Sequence, residues 1–529
     1  MVVASVSVFA GGFTLEAAEE VTSDELRVTS EQGQATGDAT KVRGQTYLIA
    51  GEILDLLAGL VNKSLVVANR APGRETRYEL HETIRQYAWN KLKAAGEAGP
   101  VQERHADYYG RILEAALPRF FYDDRVVLHR DWLEAEMENW RAVMGRSLVD
   151  GAIGAEWGIR AATRLGGFWI VYSRLEEATR WLGAAAARAG EASLAVRANF
   201  YVRVTIPAVS SLRLVEDDKA ADALAIFRQL EDKEGIVFAT CRLALTAPDP
   251  EQAKTELEQI MPLAAEIGPE SLSMVYFGLA WRAGLVHDYH QAITWGEKYM
   301  SYYRELPYHR IIVAERSRMV GAYYRFAGDV ERATALIQEG LEAARGLDIG
   351  GEITALLLNG LGENARYQKQ YDRANDYYRQ ALAVARETHH TYPVAMVLGN
   401  MALCQITQGD ARGAKAIYRE FLAVLRQGVW YDEMFDWALW DLAQIAELEE
   451  DMERAAFLHG AAESWQKHVV MSIVGADDLE DINRHVARVR ARLGEEIYSA
   501  AWAEGQCLSA EEIIAFAEKF VAGAREGAA

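Results

Sequence analysis

The sequence predicts an all-α fold, in which a superhelical solenoid of helical repeats follows a small unit that contains a β-hairpin. The first observation is a pair of amphipathic stretches within residues 356–390, where apolar residues recur at i, i+3, i+4 and i+7. The second is an alanine that returns along the chain at an almost constant interval. The third is the composition, because only 10 prolines among 529 residues favour long helical segments.

The central helical hairpin consists of two short amphipathic helices around a tight turn. The first helix ends near Ala365 and the second begins near Ala374. We expect the small residues Gly362 and Ala374 to let the two backbones approach closely, with Tyr371 and Tyr378 filling the space around them. This spacing of small and aromatic residues resembles that of a tetratricopeptide repeat.

Equivalent alanines mark the neighbouring repeats. They follow one another at intervals of 39, 41, 41, 40 and 41 residues, longer than the common repeat of about 34 residues. These alanines are Ala253, Ala292, Ala333, Ala374, Ala414 and Ala455. Ala178 indicates an earlier unit, and a degraded unit interrupted by Pro207 is expected between Ala178 and Ala253. Adjacent repeats are needed because one hairpin cannot bury its apolar face alone.

The residues before the repeats predict a helix, a second helix, a β-hairpin and a third helix, which is the order of a winged helix. Thr14 should open the first helix, and residues 49–60 and 81–94 should form the other two. The remaining segments are strands at residues 64–67 and 76–80, a turn at residues 70–74 and a loop at residues 30–45.

Four segments are therefore expected along the chain. Their predicted boundaries are 1–95 for the winged-helix-like unit, 96–155 for a helical connector, 156–470 for the repeats and 471–529 for a C-terminal helical cap. Within the cap, Ser509 followed by Glu512 predicts a capping box at the last helix. A helical cap is expected because the last repeat of a solenoid must cover its apolar end.

Phrases near both ends resemble the sensor half of large bacterial P-loop signalling regulators, including the LuxR type. The phrases are SVFAGGFTLEAAEEV, ILDLLAGLVNKSLVV, YELHETIRQYAWNKL, WLEAEMENWRAVMGRSL and LGEEIYSAAWAEGQCLSAEEIIAFAEKF. The resemblance implies a winged-helix module and a repeat sensor. The sequence contains no GxxxxGK[ST] motif and no basic helix-turn-helix after residue 500. We therefore expect a sensor chain that lacks the ATPase and DNA-binding domains, either as a truncated product or as a natural stand-alone protein.

His81 is a candidate remnant of a nucleotide sensor. In the signalling ATPases that this chain resembles, a Met-His-Asp triplet after the wing places a histidine near the phosphate of ADP, and Leu80-His81-Glu82 stands at the matching place. The alternative is a histidine that caps or packs at a helix start. Glu82 in place of Asp, and the missing ATPase, favour that alternative.

The charge of the chain argues against nucleic-acid and anionic-membrane binding. The net charge is −21, which repels phosphate backbones. Residues 1–95 hold ten Lys or Arg and twelve Asp or Glu, and the helix before the hairpin offers only Lys63 near its end. A recognition helix needs several basic or amide side chains for base edges, so we expect no direct DNA contact.

Catalysis, metals and cofactors are not expected either. The sequence has no GxSxG, HExxH or CxxC motif, His389 and His390 are adjacent, and His459 and His468 lack a carboxylate at ligand spacing. The connector acids are interpreted as a solvated face: Asp131, Glu134, Glu136 and Glu138. Three scattered cysteines and the lack of an apolar run of about 20 residues predict a cytoplasmic protein.

The best candidate site is the surface lined by the first helix of each repeat. Its predicted members are Phe277, Trp281, Glu315, Arg318, Arg325, Asn359, Glu363, Arg366, Tyr367, Trp437, Trp440 and Gln444. Arginine and tryptophan together suit a peptide, carboxylate or sugar ligand, although such aromatics can instead pack between repeats. The predicted function is a non-catalytic sensor that binds a small inducer or a protein partner, such as a separate P-loop ATPase or DNA-binding regulator. The alternative is a generic assembly scaffold.

Overall fold

The computed structural model describes residues 2–22, 50–70, 75–117, 124–172, 174–204, 219–306, 310–345, 347, 351–388, 391–427, 431–465 and 476–523. These residues are mainly α-helical, and among them only one sheet occurs, a two-stranded antiparallel one. The chain forms two compact units, made of residues 1–168 with 176–200, and of residues 169–175 with 201–529. No helix in the described part of the chain is long and apolar enough to cross a bilayer.

The elements before residue 205 include the β-hairpin. In chain order they are α1 Val2–Ser5, α2 Leu15–Thr22, α3 Ala50–Asn62, β1 Val66–Asn69, β2 Arg77–Leu80, α4 Glu82–Ala94, α5 Ala98–Ala116, α6 Arg125–Leu128, α7 Arg130–Met144, α8 Ala155–Val171, α9 Leu175–Arg188 and α10 Leu194–Val204. The predicted order of helix, helix, hairpin and helix is present in α2, α3, β1–β2 and α4.

The helix and strand starts in this part of the chain largely agree with those that the sequence predicts. The Thr14 hydroxyl accepts a hydrogen bond from the Ala17 amide at 3.1 Å, which opens α2 as expected. Strand β1 begins two residues later than predicted, because Ser64 has a φ of +57° and cannot lie in an extended strand. The predicted loop at residues 30–45, most of the predicted turn, Pro207, the pair His389 and His390, and His468 lie outside the described residues.

A buried polar cluster in the first unit corrects the prediction for one connector acid. Glu136 is only 2 % exposed. It accepts hydrogen bonds from the Tyr109 hydroxyl at 2.7 Å and the Asn139 amide at 3.0 Å, and it pairs with Arg77 of β2. The prediction that Glu136 lies on a solvated face was therefore wrong. Its partners come from other elements, which helical periodicity within α7 cannot show.

The elements after residue 218 form the repeat array and the C-terminal cap. In chain order they are α11 Lys219–Gln229, α12 Lys233–Thr246, α13 Pro250–Ile267, α14 Pro269–Leu285, α15 Tyr289–Arg304, α16 Arg310–Phe326, α17 Val330–Arg345, α18 Gly351–Tyr367, α19 Tyr371–Glu387, α20 Thr391–Thr407, α21 Ala411–Leu425, α22 Tyr431–Leu448, α23 Met452–Trp465, α24 Ala476–Leu493, α25 Glu495–Gln506 and α26 Ala510–Ala522.

Six consecutive helical hairpins confirm the predicted repeat. Their first helices are α12, α14, α16, α18, α20 and α22, and each pairs with the helix that follows it. Every predicted alanine is the fourth residue of a second helix and is fully buried. In the central hairpin, a Cβ atom at Gly362 would collide with the ring of Tyr378, so this position has to be glycine. The array is thus a tetratricopeptide-like helical solenoid.

One backbone device makes the turn inside five of these hairpins. Five residues before the buried alanine, the chain adopts a positive φ, at His287 (+61°), Gly328 (+88°), Lys369 (+60°), Gly409 (+80°) and Glu450 (+62°). The next residue is aspartate in four of the five turns, and its carboxylate accepts a hydrogen bond of 2.9 to 3.1 Å from the amide three residues later. The left-handed residue reverses the chain, and the aspartate caps the second helix.

The C-terminal helices cover the end of the array. The predicted capping box is present, since the Ser509 amide donates to Glu512 at 2.8 Å and the Glu512 amide donates to the Ser509 hydroxyl at 3.4 Å. Helix α26 lies against α21, where Arg419 donates to the Val521 carbonyl at 2.8 Å. Helices α23 and α25 cross closely, because a Cβ atom at Gly460 would collide with the α25 backbone.

Candidate functional site

The predicted site residues lie on four first helices of the array, and we call the surface that they form the inner face. Helix α14 carries Phe277 and Trp281, α16 carries Glu315, Arg318 and Arg325, α18 carries Asn359, Glu363, Arg366 and Tyr367, and α22 carries Trp437, Trp440 and Gln444. Consecutive first helices from α12 to α22 contact one another along the array. Between α14 and α16 the contact is made by side chains, since the Arg316 guanidinium of α16 lies 4.3 Å from the ring centroid of Phe277 on α14.

Arg325 joins two first helices. Its guanidinium donates to Asn364 at 3.1 Å and to Glu363 at 3.3 Å, both on α18. The Arg325 side chain is only 4 % exposed, whereas that of Glu363 is 22 % exposed. The guanidinium also lies 5.4 Å from the ring centroid of Tyr367, a cation–π distance. The structure therefore brings Arg325, Glu363 and Tyr367 together as the sequence analysis grouped them.

Asparagines extend this network to a third helix. Asn359 donates to Glu363 at 3.4 Å, and its carbonyl oxygen accepts from the side-chain amide of Asn400 on α20 at 3.1 Å. Asn359 is almost fully buried, so these partners satisfy an amide that would otherwise be costly in a helix interior. We call the chain Arg325–Glu363–Asn359–Asn400 the polar ladder, since it links α16, α18 and α20.

Asn400 and Asn364 belong to the site but were absent from the sequence prediction. Asn400 lies 41 residues after Asn359, which is one repeat further on. Two asparagines inside predicted helices at the repeat interval were the available signal. Asn364 has a different role, because it accepts from Arg325 and donates to the Thr334 hydroxyl of α17 at 3.1 Å.

Four predicted members of the inner face in or beside the polar ladder are half-buried. They are Arg318, Glu363, Arg366 and Tyr367. The guanidinium of Arg366 lies 5.3 Å from the Tyr367 ring centroid. The partly exposed portion of the inner face therefore combines positive charge, one carboxylate and an aromatic ring.

The other predicted aromatics take part in packing between helices. The Trp281 indole donates to the Leu245 carbonyl of α12 at 3.2 Å. Phe277 is buried against the ring of Tyr299 at 5.5 Å. Trp440 is 8 % exposed and lies 5.6 Å from the ring of His459, while Trp437 and Gln444 are half-buried on α22. These aromatic side chains therefore pack between helices, which is the alternative to ligand binding that the sequence left open.

A buried histidine pair sits where the cap meets the last hairpin. His459 of α23 and His485 of α24 face each other with ring nitrogens 3.1 Å apart. The second nitrogen of His459 lies 3.2 Å from the Tyr498 hydroxyl, and that of His485 lies 3.0 Å from Glu447. From the sequence, His459 and His468 lack a carboxylate at ligand spacing, whereas the fold places His485 and Glu447 beside His459 and each other.

Burial makes both histidines hard to protonate. Burial and the neighbouring His485 lower the pKa of His459 to about 3. Burial lowers the pKa of His485 to about 4, although the charge of Glu447 opposes this shift. Within the described part of the chain, no group of three or more His, Cys, Asp or Glu is arranged to hold a metal ion.

His81 lies at the start of α4 and is exposed. Its side chain makes no capping hydrogen bond to α4. Glu82, the next residue, instead pairs with Arg85 at 2.8 Å and accepts from Gln86 at 3.0 Å on its own helix. The nucleotide-sensing role of His81 stays a prediction.

Comparison with known proteins agrees with the repeat assignment. Residues 310–387 and 353–427 match the tetratricopeptide repeat family. Over 129 residues the chain is 38 % identical to "Putative HTH-type transcriptional regulator" proteins of Mycobacterium tuberculosis (strain ATCC 25618 / H37Rv) and Mycobacterium bovis (strain ATCC BAA-935 / AF2122/97). This match covers 24 % of the chain and only 14 % of the length of those relatives.

Solved structures give more distant likenesses. A signal transduction ATPase with numerous domains and a tetratricopeptide repeat sensor, from Pyrococcus horikoshii, has a TM-score of 0.47 at 13 % identity, over 87 % of this chain and 62 % of that chain. A Rap protein complexed with competence and sporulation factor has a TM-score of 0.44 at 12 % identity, over 69 % of this chain and 99 % of that chain.

Proposed function

We propose that the chain is a regulatory or sensor protein that binds a protein segment or a small inducer through the inner face of its repeats. The observation that carries the proposal is the polar ladder, in which Arg325, Glu363, Asn359 and Asn400 connect three consecutive first helices. A ladder of this kind holds its side chains in place before a ligand arrives, which lowers the entropic cost of binding.

The side chains beside the ladder are of the types that contribute most to recognition. Arg366 and Tyr367 lie in contact and are half-buried, and Arg318 lies one helix away. Arginine and tyrosine are enriched among the residues whose loss weakens protein interfaces most. A guanidinium next to a ring can bind a carboxylate or stack on a planar group of the ligand.

A regulatory role is favoured by the relatives and by the resemblance of the end phrases to LuxR-type regulators. The 129-residue match to HTH-type transcriptional regulators supports an origin in transcriptional control. More specifically, we propose that this chain is the sensor part of a P-loop regulator of the LuxR type, with residues 1–95 as a winged-helix-like module. It would act with a separate ATPase or DNA-binding chain and would catalyse no reaction of its own. The alternative remains a generic scaffold for protein assembly.

Affinity purification of the intact chain from its own cell extract, read by mass spectrometry, separates these two functions. The bait is compared with Arg366→Glu, which reverses a charge of the inner face, and with the matched control Arg379→Glu, whose side chain is 67 % exposed on α19. The proposal predicts an ATPase or DNA-binding regulator that is retained by the control and lost with Arg366→Glu. Capture of the same unrelated proteins by all three baits would contradict it.

A further inference from the structure

Arg282 occupies a repeat position that belongs to the core elsewhere in the array. The position lies five residues before the left-handed turn residue of each hairpin. The equivalents of Arg282 in the next four first helices are Tyr323, Asn364, Cys404 and Ile445, and all of them are buried. Arg282 is buried as well, with an exposed fraction of 4 %. A charge therefore stands where the other hairpins place a neutral side chain.

The Arg282 guanidinium lacks the partners that a buried charge normally has. Among the described residues, none hydrogen-bonds its Nε atom or forms an ion pair with it. Burial lowers the pKa of Arg282, and the negative charge of Asp249 opposes this shift only in part. Arg325, which is equally buried, differs because it bonds to both Asn364 and Glu363. An unpaired buried charge is unfavourable, so an anion that reached Arg282 would be bound favourably.

A small pocket leads to this guanidinium. It has a volume of about 50 Å³ and lies between the second helices α13 and α15, over the end of α14. Lys254 adds a second positive charge to its lining, Gln291 an amide and Trp295 an aromatic wall, while Glu251 and Asp288 add two carboxylates at its edge. The Trp295 ring is held by stacking on Tyr276, with 5.5 Å between the centroids. The pocket is larger than the roughly 30 Å³ of one water molecule and suits a group of a few heavy atoms.

Two of the acidic residues at the pocket, Asp249 and Asp288, are engaged as helix caps, whereas a third, Glu251, lines the pocket. Asp249 accepts hydrogen bonds from the amides of Glu251 at 2.9 Å and Gln252 at 3.1 Å. Asp288 accepts from the Gln291 amide at 3.0 Å. Both carboxylates therefore cap helices and do not form an ion pair with Arg282. Their charges would also repel a dianion such as phosphate more strongly than a singly charged group.

We propose that this pocket, named here the Arg282 pocket, binds a carboxylate group. The planar guanidinium can hold the two oxygens of a carboxylate at once, Lys254 adds attraction, and the small volume limits the ligand to a single such group at its floor. The carboxylate comes from a free organic acid or from an acidic side chain of a protein. The site lies between second helices, so it is independent of the inner face and of the function proposed for it.

Thermal melting of the intact chain tests the site. Sodium acetate is compared with sodium chloride at equal ionic strength for the native chain, for Arg282→Met and for the control Arg386→Met, whose arginine is exposed and paired with Glu420. Acetate at saturating concentration should raise the melting temperature of the native chain and the control by roughly 2–4 °C, and that of Arg282→Met not at all. In chloride, Arg282→Met should melt no lower than the native chain, because it removes an unpaired buried charge.

The opposite results would overturn the proposal. An equal response to acetate in the native chain and Arg282→Met would show a general salt effect, and no response in the native chain would show that acetate does not bind. A larger response to inorganic phosphate than to acetate would reject a carboxylate as the ligand. Calorimetry with a capped triglutamate peptide then separates the two sources, since binding at least tenfold tighter than acetate identifies a protein segment and equal binding a free acid.

Discussion

Single backbone angles make the turns of the array, and Gly328 offers the cleanest test of this. Its φ is +88°, and nothing lies within 4 Å of the position that a Cβ atom would take. Gly328→Ala should therefore lower the free energy of unfolding by about 1–2 kcal/mol through backbone strain alone, as measured by urea denaturation. The control is Gly399→Ala within α20, which should leave stability unchanged or raise it by up to about 1 kcal/mol. Equal effects of the two changes would contradict this account of the turn.

Ala374 tests the register of the repeats. It is fully buried at the fourth position of α19, where the two helices of the hairpin cross. Ala374→Leu should overpack the crossing and cost about 1–3 kcal/mol in the free energy of unfolding. Arg379→Leu on the exposed side of the same helix should change stability little. Unchanged melting of Ala374→Leu would mean that the assigned register is wrong.

The open question at His81 is whether the chain binds nucleotide. His81 is exposed and makes no capping bond, and no ATPase motif is present in the sequence. The purified chain should neither hydrolyse ATP nor bind ADP in calorimetry. Micromolar ADP binding that is lost in His81→Ala would refute this expectation and assign His81 a nucleotide-sensing role.

The helices of the cap should loosen in acid. His459 and His485 have pKa values of about 3 and 4 in the folded chain, against an ordinary value of 6.5. The unfolded chain therefore takes up protons first as the pH falls below about 6.5, and each uptake favours unfolding until the pH reaches the folded pKa. Burial raises the pKa of Glu447, but the hydrogen bond from Arg488 and the nearby positive charges outweigh burial and leave this pKa below its ordinary value of 4.5. Protonation of Glu447 below about pH 4.5 therefore also favours unfolding.

Hydrogen exchange of α24 and α25 between pH 8 and pH 4.5 measures this effect. After correction for the intrinsic pH dependence of exchange, protection should be constant above about pH 6.5 and should fall below it. The charged groups that act on the pair are Glu447, Arg488 and Arg490. Arg492 acts on Glu447, and Glu463 and Glu495 act on Tyr498. The double change His459→Asn with His485→Gln should flatten the profile, and exposed His290→Gln should not. A flat profile in the native chain would contradict the role of the pair.

Helical elements were predictable where a local pattern decides them. The alanine interval located six hairpins, and the Thr14 and Ser509 caps located two helix starts, because these signals lie within a few residues of each other. Strand β1 was misplaced because the left-handed Ser64 carries no strong sequence signal. Glu136 was misread because the residues that bury it, Arg77 and Tyr109, come from 59 and 27 residues away.

The candidate site was predictable in outline but not in its bonds. The repeat register placed Arg325, Glu363 and Tyr367 on neighbouring helices, and their contacts follow from that register. Asn400 was not predicted as a site residue, because its role depends on a hydrogen bond to Asn359, one repeat away. The contact between His459 and His485 was not predicted for the same reason, since the two rings meet only once the cap has folded onto α23. Arg282 was missed because nothing in its own helix marks its charge as unpaired.

For the molecule as a whole, the net charge of −21 contrasts with the mixed character of the inner face. Arg318, Arg325 and Arg366 stand there against Glu315 and Glu363, and Glu363 is already engaged by Arg325. These members of the inner face carry one more positive than negative charge, three against two, which favours a ligand or segment with negative charge. The polar ladder links consecutive repeats on this same surface, so the charged side chains lie where hydrogen bonds hold neighbouring helices together.

The most direct measurement is site-specific photo-crosslinking in the source cells. A benzophenone amino acid is placed at Arg318 on the inner face or, in a second strain, at Arg379 on the opposite side of the array. The account predicts one discrete crosslinked partner from position 318, none of it from position 379, and its loss when Arg366→Glu is added. Crosslinks of equal yield and composition from both positions, unaffected by Arg366→Glu, would contradict the claim that the inner face binds the partner.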